Sequence, residues 1–271
     1  MIEHPTHWRW MRRETEGKKE NPLQSFAYDD VFCQSVGIWD SPPILHTWVH
    51  DPTIVLGTQD SRLHTIQRAK ARFEDKGYTV IVRNSGGLAV YLDPGVLNVS
   101  LIIKDEKGQT IDATYDKMWK FVEAMYDDAP GKIEAKEIVG SYCPGNYDLS
   151  IHDKKFAGIS QRRLRSGIAV QVYIAVTGSG SLRAEQIKHF YDEAEQYTDQ
   201  KVMTIRPETM ASLSDLYGKP MTVNDSISRI ERVFEQRGIT LENGQLTESE
   251  RHLFNDRLEL VEKRNRKILE P

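Results

Sequence analysis

The sequence predicts an α+β fold, in which a mixed β-sheet with flanking helices is followed by a mainly helical C-terminal part. Short apolar or alternating segments typical of strands recur up to about residue 180, and amphipathic helical segments dominate after it. Strands and helices do not alternate regularly, as they would in a βαβ fold. The 271 residues, of which 39% are hydrophobic, suffice for a sizeable core. We therefore expect a single domain over residues 1–271, with its core at about 40–205 and its helical part at about 206–271.

The strands are predicted from two-residue alternation and from short apolar runs that end at Gly, Pro, Asn or Asp. They cover Leu45–Val49, Thr53–Leu56, Tyr78–Arg83, Leu88–Leu92, Val96–Ile103, Lys132–Ile138, Tyr147–Ile151, Lys154–Ile159 and Gly167–Val176. In Val96–Ile103 the alternation predicts a strand with one buried face. Tyr147–Ile151 and Lys154–Ile159 are expected to form a hairpin that turns at His152 and Asp153.

The helices are predicted where apolar residues recur every three or four positions. They cover Ser25–Gly37, Thr65–Lys76, Asp112–Tyr126, Leu182–Gln196, Met210–Leu216, Val223–Arg237 and Ser249–Ile268. Ser25 is a suitable N-cap for the first helix, and Gly77 ends the second. Cys33 falls inside the first helix, where a packed core thiol is expected. The basic residues at 263–267 fit a solvated helix C-terminus.

Charge and cysteine content exclude several classes of protein. The net charge of -4 gives no global basic field of the kind that indicates nucleic-acid binding. No segment resembles a transmembrane helix, and residues 1–20 lack the apolar region of a secretory signal. Two cysteines are too few for a disulfide framework, and His46 and His50, on a predicted strand and turn, are not a zinc motif. We expect a cytoplasmic protein that binds no metal, nucleic acid or membrane.

The first segment that could carry chemistry surrounds Cys143, in Gly140-Ser141-Tyr142-Cys143-Pro144-Gly145-Asn146. The cysteine lies in a predicted loop between two strands, and loops held by a sheet commonly carry reactive groups. A nearby cation would favour the thiolate, which is the nucleophilic form. The residues alone favour an ordinary loop cysteine over a reactive one.

The second segment is the strand that begins at Lys154 and contains Lys155. Lys155 shares a face with Ala157 and Ile159, so its ammonium lies among small or apolar neighbours. The hairpin places Lys155 beside about Ser150, and an extended chain would leave Cys143 roughly 20 Å away. The loop before residue 147 must therefore fold back if Cys143 and Lys155 are to meet. An exposed lysine on an edge strand remains the alternative.

The third segment, Arg83-Asn84-Ser85-Gly86-Gly87-Leu88-Ala89-Val90, follows a predicted strand. Two consecutive glycines let a backbone come close to a ligand, and exposed N–H groups there can bind an acyl carbonyl or a phosphate. No Gly-Lys-Ser/Thr follows, so the segment is not a P-loop. A plain turn is the alternative.

Taken together, these segments resemble the lipoate–biotin protein ligase family. RNSGGLAV (83–90) is similar to its arginine, serine and double-glycine signature, and KFAGIS (155–160) to its lysine-x-x-glycine segment. GSYCPGNYDLS (140–150) narrows the resemblance to the branch of octanoyl-[H protein]:protein N-octanoyltransferases. Further matching stretches are SFAYDD (25–30), TWVH (47–50), IVLGTQDSRL (54–63), VIVRNSGGLAV (80–90) and IRPETMASLS (205–214), so that nearly the whole chain is covered.

The resemblance implies a catalytic domain with a mixed, mostly antiparallel sheet and an acyltransferase without a cofactor. Octanoyl would pass from an octanoyl-lysine of glycine cleavage H protein to the lipoyl-domain lysine of 2-oxoacid dehydrogenase E2 subunits, in assembly of the lipoyl cofactor. Cys143 would form the acyl thioester, while Lys155 would favour its thiolate and transfer protons. The residues implied to bind the acyl group are Arg83, Ser85, Gly86, Gly87, Leu88, Val90, Gly158 and Ile159.

Three rival functions share much of this pattern. The first is the same chemistry with octanoyl-acyl carrier protein as donor, although the family's cysteine-to-tyrosine spacing in those enzymes is longer than Cys143 to Tyr147. The second is an ATP-dependent lipoate ligase, which usually carries a His-Asp pair where this chain has Leu92-Asp93. The third is an inactive relative that only docks lipoyl domains.

Overall fold

The computed structural model describes residues 6–13, 21–63, 65–195 and 203–270. The strands are β1 (His7–Arg13), β2 (Ile44–Trp48), β3 (Thr53–Leu56), β4 (Thr79–Val82), β5 (Val90–Leu92), β6 (Val96–Lys104), β7 (Glu134–Ala135), β8 (Asp148–Ile151), β9 (Lys154–Leu164), β10 (Gly167–Ala175) and β11 (Thr240–Asn243). The helices are α1 (Leu23–Ile38), α2 (Ile66–Glu74), α3 (Ile111–Met125), α4 (Gly180–Glu195), α5 (Leu213–Tyr217), α6 (Val223–Gln236) and α7 (Glu248–Leu269). In these ranges, none of the helices is both long and apolar enough to span a bilayer.

The strands form two sheets. The large sheet has the order β11-β1-β2-β6-β10-β9-β8-β7, and the small sheet has the order β4-β3-β5. In the large sheet, β1 runs parallel to β2 and β11, and every other neighbouring pair is antiparallel. The predicted α+β class with a mixed, mostly antiparallel sheet is therefore confirmed.

Helices cover both faces of the large sheet. Side chains of α3 and α6, such as Phe121 and Ile230, pack with Leu97 and Val99 of β6 in one apolar cluster. On the opposite face, α1 packs against β6, β9 and β10. Both faces of β6 are consequently buried from residue 96 to residue 102, including the polar side chains Asn98 and Ser100. The prediction of one buried face on this strand was wrong, because the period-two pattern does not show that α1 covers the polar face.

Other boundaries differ from the sequence expectation for local reasons. Helix α1 begins at Leu23 after Pro22, and Ser25 is buried within its first turn instead of capping it. The predicted strand at 132–138 is reduced to Glu134–Ala135, whereas β9 continues five residues beyond Ile159 as the partner of β10. Helix α5 begins at Leu213, later than the predicted Met210, because Ser212 and Asp215 form a capping box there.

Two strands, β1 and β11, have no counterpart among the sequence predictions. Trp8 and Trp10 of β1 are buried in the same cluster as α3 and α6, and β11 adds a short parallel strand beside them. Residues outside 40–205 thus contribute to the core at both ends of the chain. The hairpin turn at His152 and Asp153 is confirmed, and both residues adopt positive φ.

The small sheet holds the segment that precedes the double glycine. It packs with α2 and α4 in a second apolar cluster, which includes Phe73 and Phe190. At the exposed edge of β4, the Asn265 side chain accepts a hydrogen bond from the N–H of Val82 (2.7 Å) and donates one to its carbonyl (2.9 Å). Helix α7 therefore completes the backbone pairing of the residue immediately before Arg83. Lys263, Arg266 and Lys267 are solvent-exposed around the buried Asn265.

His50, in the turn between β2 and β3, should make the fold sensitive to acid. Its side chain is 6% exposed, and burial, with smaller effects of the Arg13 and His46 charges, lowers its pKa to about 4. In the unfolded chain the pKa returns to about 6.5, so the unfolded state binds the extra proton between these values. Stability is then lost as the pH falls from about 6.5 to about 4, by about 3 kcal/mol in all.

Urea unfolding of the wild type and of His50→Gln at pH 7 and pH 4 measures this contribution. The wild type should lose about 3 kcal/mol more than the variant over this interval, because glutamine does not titrate. Equal losses in the two proteins would contradict the assignment to His50.

Candidate active site

A row of residues across the large sheet forms the floor of a pocket. Trp48, Asn98, Tyr173, Gly158 and Asp148 lie directly opposite one another on β2, β6, β10, β9 and β8. Residues paired in this way point to the same face of a sheet. Four strand spacings of about 4.8 Å separate the ends of this row, so the floor is roughly 19 Å long.

The pocket has a volume of about 350 Å³, within the range of small-molecule sites. Its walls come from α1, from the small sheet and from the loops that carry Arg83 and Cys143. The lining residues are Phe26, Trp48, Arg83, Ser85, Gly86, Gly87, Val90, Leu92, Asn98, Asp112, Tyr115, Cys143, Pro144, Gly145, Asn146, Tyr147, Asp148, Gly158, Ile159, Ser160, Gln161, Gln171, Val172 and Tyr173. All but two of the residues expected at the site therefore line one cavity, and the exceptions, Leu88 and Lys155, contact Cys143.

Cys143 places its sulfur against the glycine loop. The Leu88 N–H and the Arg83 Nη2 lie 3.2 and 3.4 Å from Sγ. Cys143 adopts φ 46°, a left-handed conformation that costs a residue other than glycine roughly 1–2 kcal/mol. Strain of this kind persists only where surrounding contacts hold it, and it is common at functional sites.

Lys155 supplies some of those contacts from beneath the loop. Its side chain is 0% exposed, and Nζ donates to the carbonyls of Tyr142 (2.8 Å) and Cys143 (2.9 Å). The hairpin register pairs Lys155 with Ser150, as predicted. The loop before Tyr147 folds back, so that Lys155 and the backbone of Cys143 are in direct contact despite the distance expected for an extended chain.

Asp148 is a site residue that sequence reasoning missed. Its Oδ1 lies 2.8 Å from the Nζ of Lys155, and its Oδ2 accepts hydrogen bonds from the Ile138 N–H and the Ser141 hydroxyl. Burial raises the pKa of Asp148, and the ion pair with Lys155 opposes that shift. Asp148 thus connects Ile138 and Ser141, which precede Cys143 in the loop that folds back, with Lys155, which follows it. The sequence feature that could have indicated this role is an aspartate at the start of the strand that pairs with the strand of Lys155.

A second row of polar groups lies beside this floor. The carboxylate of Asp29 on α1 pairs with His46 Nδ1 (2.8 Å) and accepts hydrogen bonds from Ser100 (2.8 Å) and Gln171 (2.6 Å). Gln171 in turn accepts a hydrogen bond from Ser160, and both of these residues line the pocket. The network explains why the polar face of β6 is buried without leaving Ser100 unpaired.

The position corresponding to the family's His-Asp pair has a structural role in this chain. Asp93 forms two hydrogen bonds of 2.8 Å with the Arg183 guanidinium and accepts another from the Gly95 N–H. Both oxygens of its carboxylate are therefore engaged in holding the turn after β5 to α4.

Comparison with known proteins identifies the family. A model of the lipoyl protein ligase A/B catalytic domain matches residues 21–235. The octanoyl-[GcvH]:protein N-octanoyltransferase of Lysinibacillus sphaericus is 46% identical over 266 residues, which cover 97% of this chain and 96% of the relative. The lipoyl-[GcvH]:protein N-lipoyltransferase of Listeria monocytogenes is 43% identical over 97% of this chain and 95% of the relative.

Solved structures share the fold. Lipoate-protein ligase A bound with ATP superposes with a TM-score of 0.69 at 20% identity, and covers 93% of this chain and 94% of its own. The bipartite lipoate protein ligase of Thermoplasma acidophilum also gives 0.69, at 18% identity, over 98% of this chain and 97% of its own. The resemblance predicted from the sequence motifs is confirmed, and the chain belongs to the lipoyl protein ligase A/B catalytic-domain family.

Proposed function

We propose that this protein is a cytoplasmic octanoyltransferase that moves octanoyl between protein lysines through a thioester on Cys143. The donor is the octanoyl-lysine of GcvH, the glycine cleavage H protein, and the acceptor is the lipoyl-domain lysine of 2-oxoacid dehydrogenase E2 subunits. The observation that carries the proposal is the position of the Cys143 sulfur, in the wall of a pocket that also contains apolar side chains. The names of the relatives support the choice of GcvH as donor.

In the first half-reaction, the Cys143 thiolate attacks the amide carbonyl of octanoyl-lysine. A C–S bond forms, the C–N bond breaks, and the leaving amine takes a proton from Lys155. In the second half-reaction, the acceptor amine attacks the thioester, the thiolate leaves and the proton returns to Lys155. An amide is exchanged for an amide, so the overall reaction needs neither ATP nor another cofactor.

The pocket accounts for recognition of the acyl chain. Phe26, Val90 and Leu92 provide apolar surface along the walls. Burial of about six methylenes contributes on the order of 5 kcal/mol to binding.

The direct test is intact-mass analysis after incubation with octanoyl-GcvH. We expect one octanoyl adduct, mapped to Cys143, which disappears when an E2 lipoyl domain is added and becomes octanoylated. Cys33→Ala is the matched control, because Cys33 is the chain's other cysteine and is buried in α1. Cys33→Ala should form the adduct, and Cys143→Ala should not.

The same assay separates the rival functions by donor. A preference for octanoyl-acyl carrier protein as donor would contradict the proposal and indicate the acyl carrier protein-dependent octanoyltransferase. Transfer of free octanoate that requires ATP would contradict it and indicate a lipoate ligase. Failure of every donor to load the protein would support a protein that only docks lipoyl domains.

A further inference from the structure

The Lys155 ammonium does not contact the Cys143 sulfur. Among the residues that the structure describes, four oxygen atoms lie within hydrogen-bonding distance of Nζ, on Asp148, Tyr142, Cys143 and Ser141. An ammonium has three N–H groups, so these acceptors already exceed its donors. The cation that directly stabilises a thiolate at Cys143 must therefore be sought elsewhere.

The geometry points to Arg83 as that cation. We infer that the Arg83 guanidinium, together with the Leu88 N–H, stabilises the Cys143 thiolate, an inference that rests on the proposed function. The Nη2 of Arg83 lies 3.4 Å from Sγ and 2.9 Å from the carbonyl of Leu88, so this nitrogen is fixed between the sulfur and the loop. Arg83 is 7% exposed, which limits the screening of its charge by water.

An arginine suits this position better than a lysine would. A guanidinium stays protonated throughout the pH range in which proteins are stable, whereas an ammonium can give up its proton. Arg83 therefore presents a constant positive charge to the sulfur during both half-reactions. Lys155 is then left to exchange protons and to hold the loop through the carbonyls of Tyr142 and Cys143.

Gly87 allows the sulfur and the guanidinium to meet. It has φ 98°, and a Cβ at this position would lie against the Arg83 guanidinium and 2.9 Å from the Cys143 sulfur. Any side chain at residue 87 would force these two groups apart. The second glycine of the motif thus has a function in the sulfur's surroundings that a plain turn would not require.

The test is the pH dependence of iodoacetamide alkylation of Cys143, in a Cys33→Ala background. A cation at this distance typically shifts ionisation by about one to three pH units. The midpoint of the profile should move upward by at least about one unit in Arg83→Gln. Arg83→Lys should return the midpoint part of the way to its wild-type value. Arg163→Gln is the matched control, because it removes a guanidinium on β9 that is paired with Asp105. Its alkylation profile should be the same as that of the wild type.

Gly87→Ala provides a second variant that keeps the arginine, and it should shift the profile in the same direction. Unchanged profiles in Arg83→Gln and Gly87→Ala, or a shift in Lys155→Met alone, would overturn the inference. The alkylation assay needs no acyl donor. Absence of octanoyl transfer by the wild type would therefore reject the proposed function without affecting the measurement on Arg83.

Discussion

Replacing Cys143 with alanine should lower kcat/KM for octanoyl transfer from GcvH by about 10⁴-fold or more, as expected when a covalent nucleophile is deleted. The variant keeps the pocket and the donors around it. However, the acceptor amine would have to attack an unactivated amide directly. Cys33 cannot substitute, because it is buried in α1. Single-turnover transfer to a lipoyl domain, measured by mass spectrometry, reports the loss.

The fold of this variant should remain intact. Residue 143 has φ 46°, and this backbone conformation is about equally unfavourable for alanine and cysteine. The thermal unfolding midpoint of Cys143→Ala should therefore lie within a few degrees of the wild type, which makes it a clean control for activity. Transfer at more than a hundredth of the wild-type rate would contradict the thioester mechanism and favour direct attack by the acceptor lysine.

Local patterns were sufficient to predict the parts of the site but not all of its contacts. The hairpin turn at 152–153 and the strand before Arg83 follow from turn residues and from a short apolar run within a few positions. The contact between Arg83 and Cys143 joins residues 60 positions apart. It depends on how the small sheet packs against the large one, and no local pattern encodes that packing.

The same limit explains the missed partner of Lys155. Its contact with Asp148 accompanies the fold-back of the loop and a shift of the β8–β9 pairing between Leu149 and Ser150. A regular hairpin register gives no sign of such a shift. The strand that contains Trp8 and Trp10 was missed for a different reason. Its arginines and its position at the N-terminus obscure the alternation of apolar and polar residues. The two tryptophans are buried only because α6 packs against them.

The ion pair between Lys155 and Asp148 should be essential to both stability and catalysis, and the two contributions can be separated. Lys155→Met leaves the Asp148 carboxylate, only 2% exposed, without its countercharge. Breaking a buried pair on one side costs about 3–5 kcal/mol. Asp148→Leu should cost a similar amount, because it leaves the Lys155 ammonium buried without its countercharge.

The double variant Lys155→Met/Asp148→Leu removes both charges and should recover a large part of the lost stability. Recovery will be incomplete, since the carbonyls of Tyr142 and Cys143 lose a donor, at about 1–3 kcal/mol each. Urea unfolding of the two single variants and the double variant completes the thermodynamic cycle. Lys154→Met, at the exposed neighbouring position, is the matched control and should change the free energy of unfolding by less than about 0.5 kcal/mol.

Octanoyl transfer by the double variant decides the role of Lys155. If Lys155 carries the proton to and from the lysine amines, the double variant should be as inactive as Lys155→Met although it recovers much of the lost stability. A loss of stability in the double variant equal to the sum of the two single losses would show that the two charges are not coupled. Recovery of transfer together with stability would mean that Lys155 only supports the Cys143 loop, and that another group, or water, moves the proton.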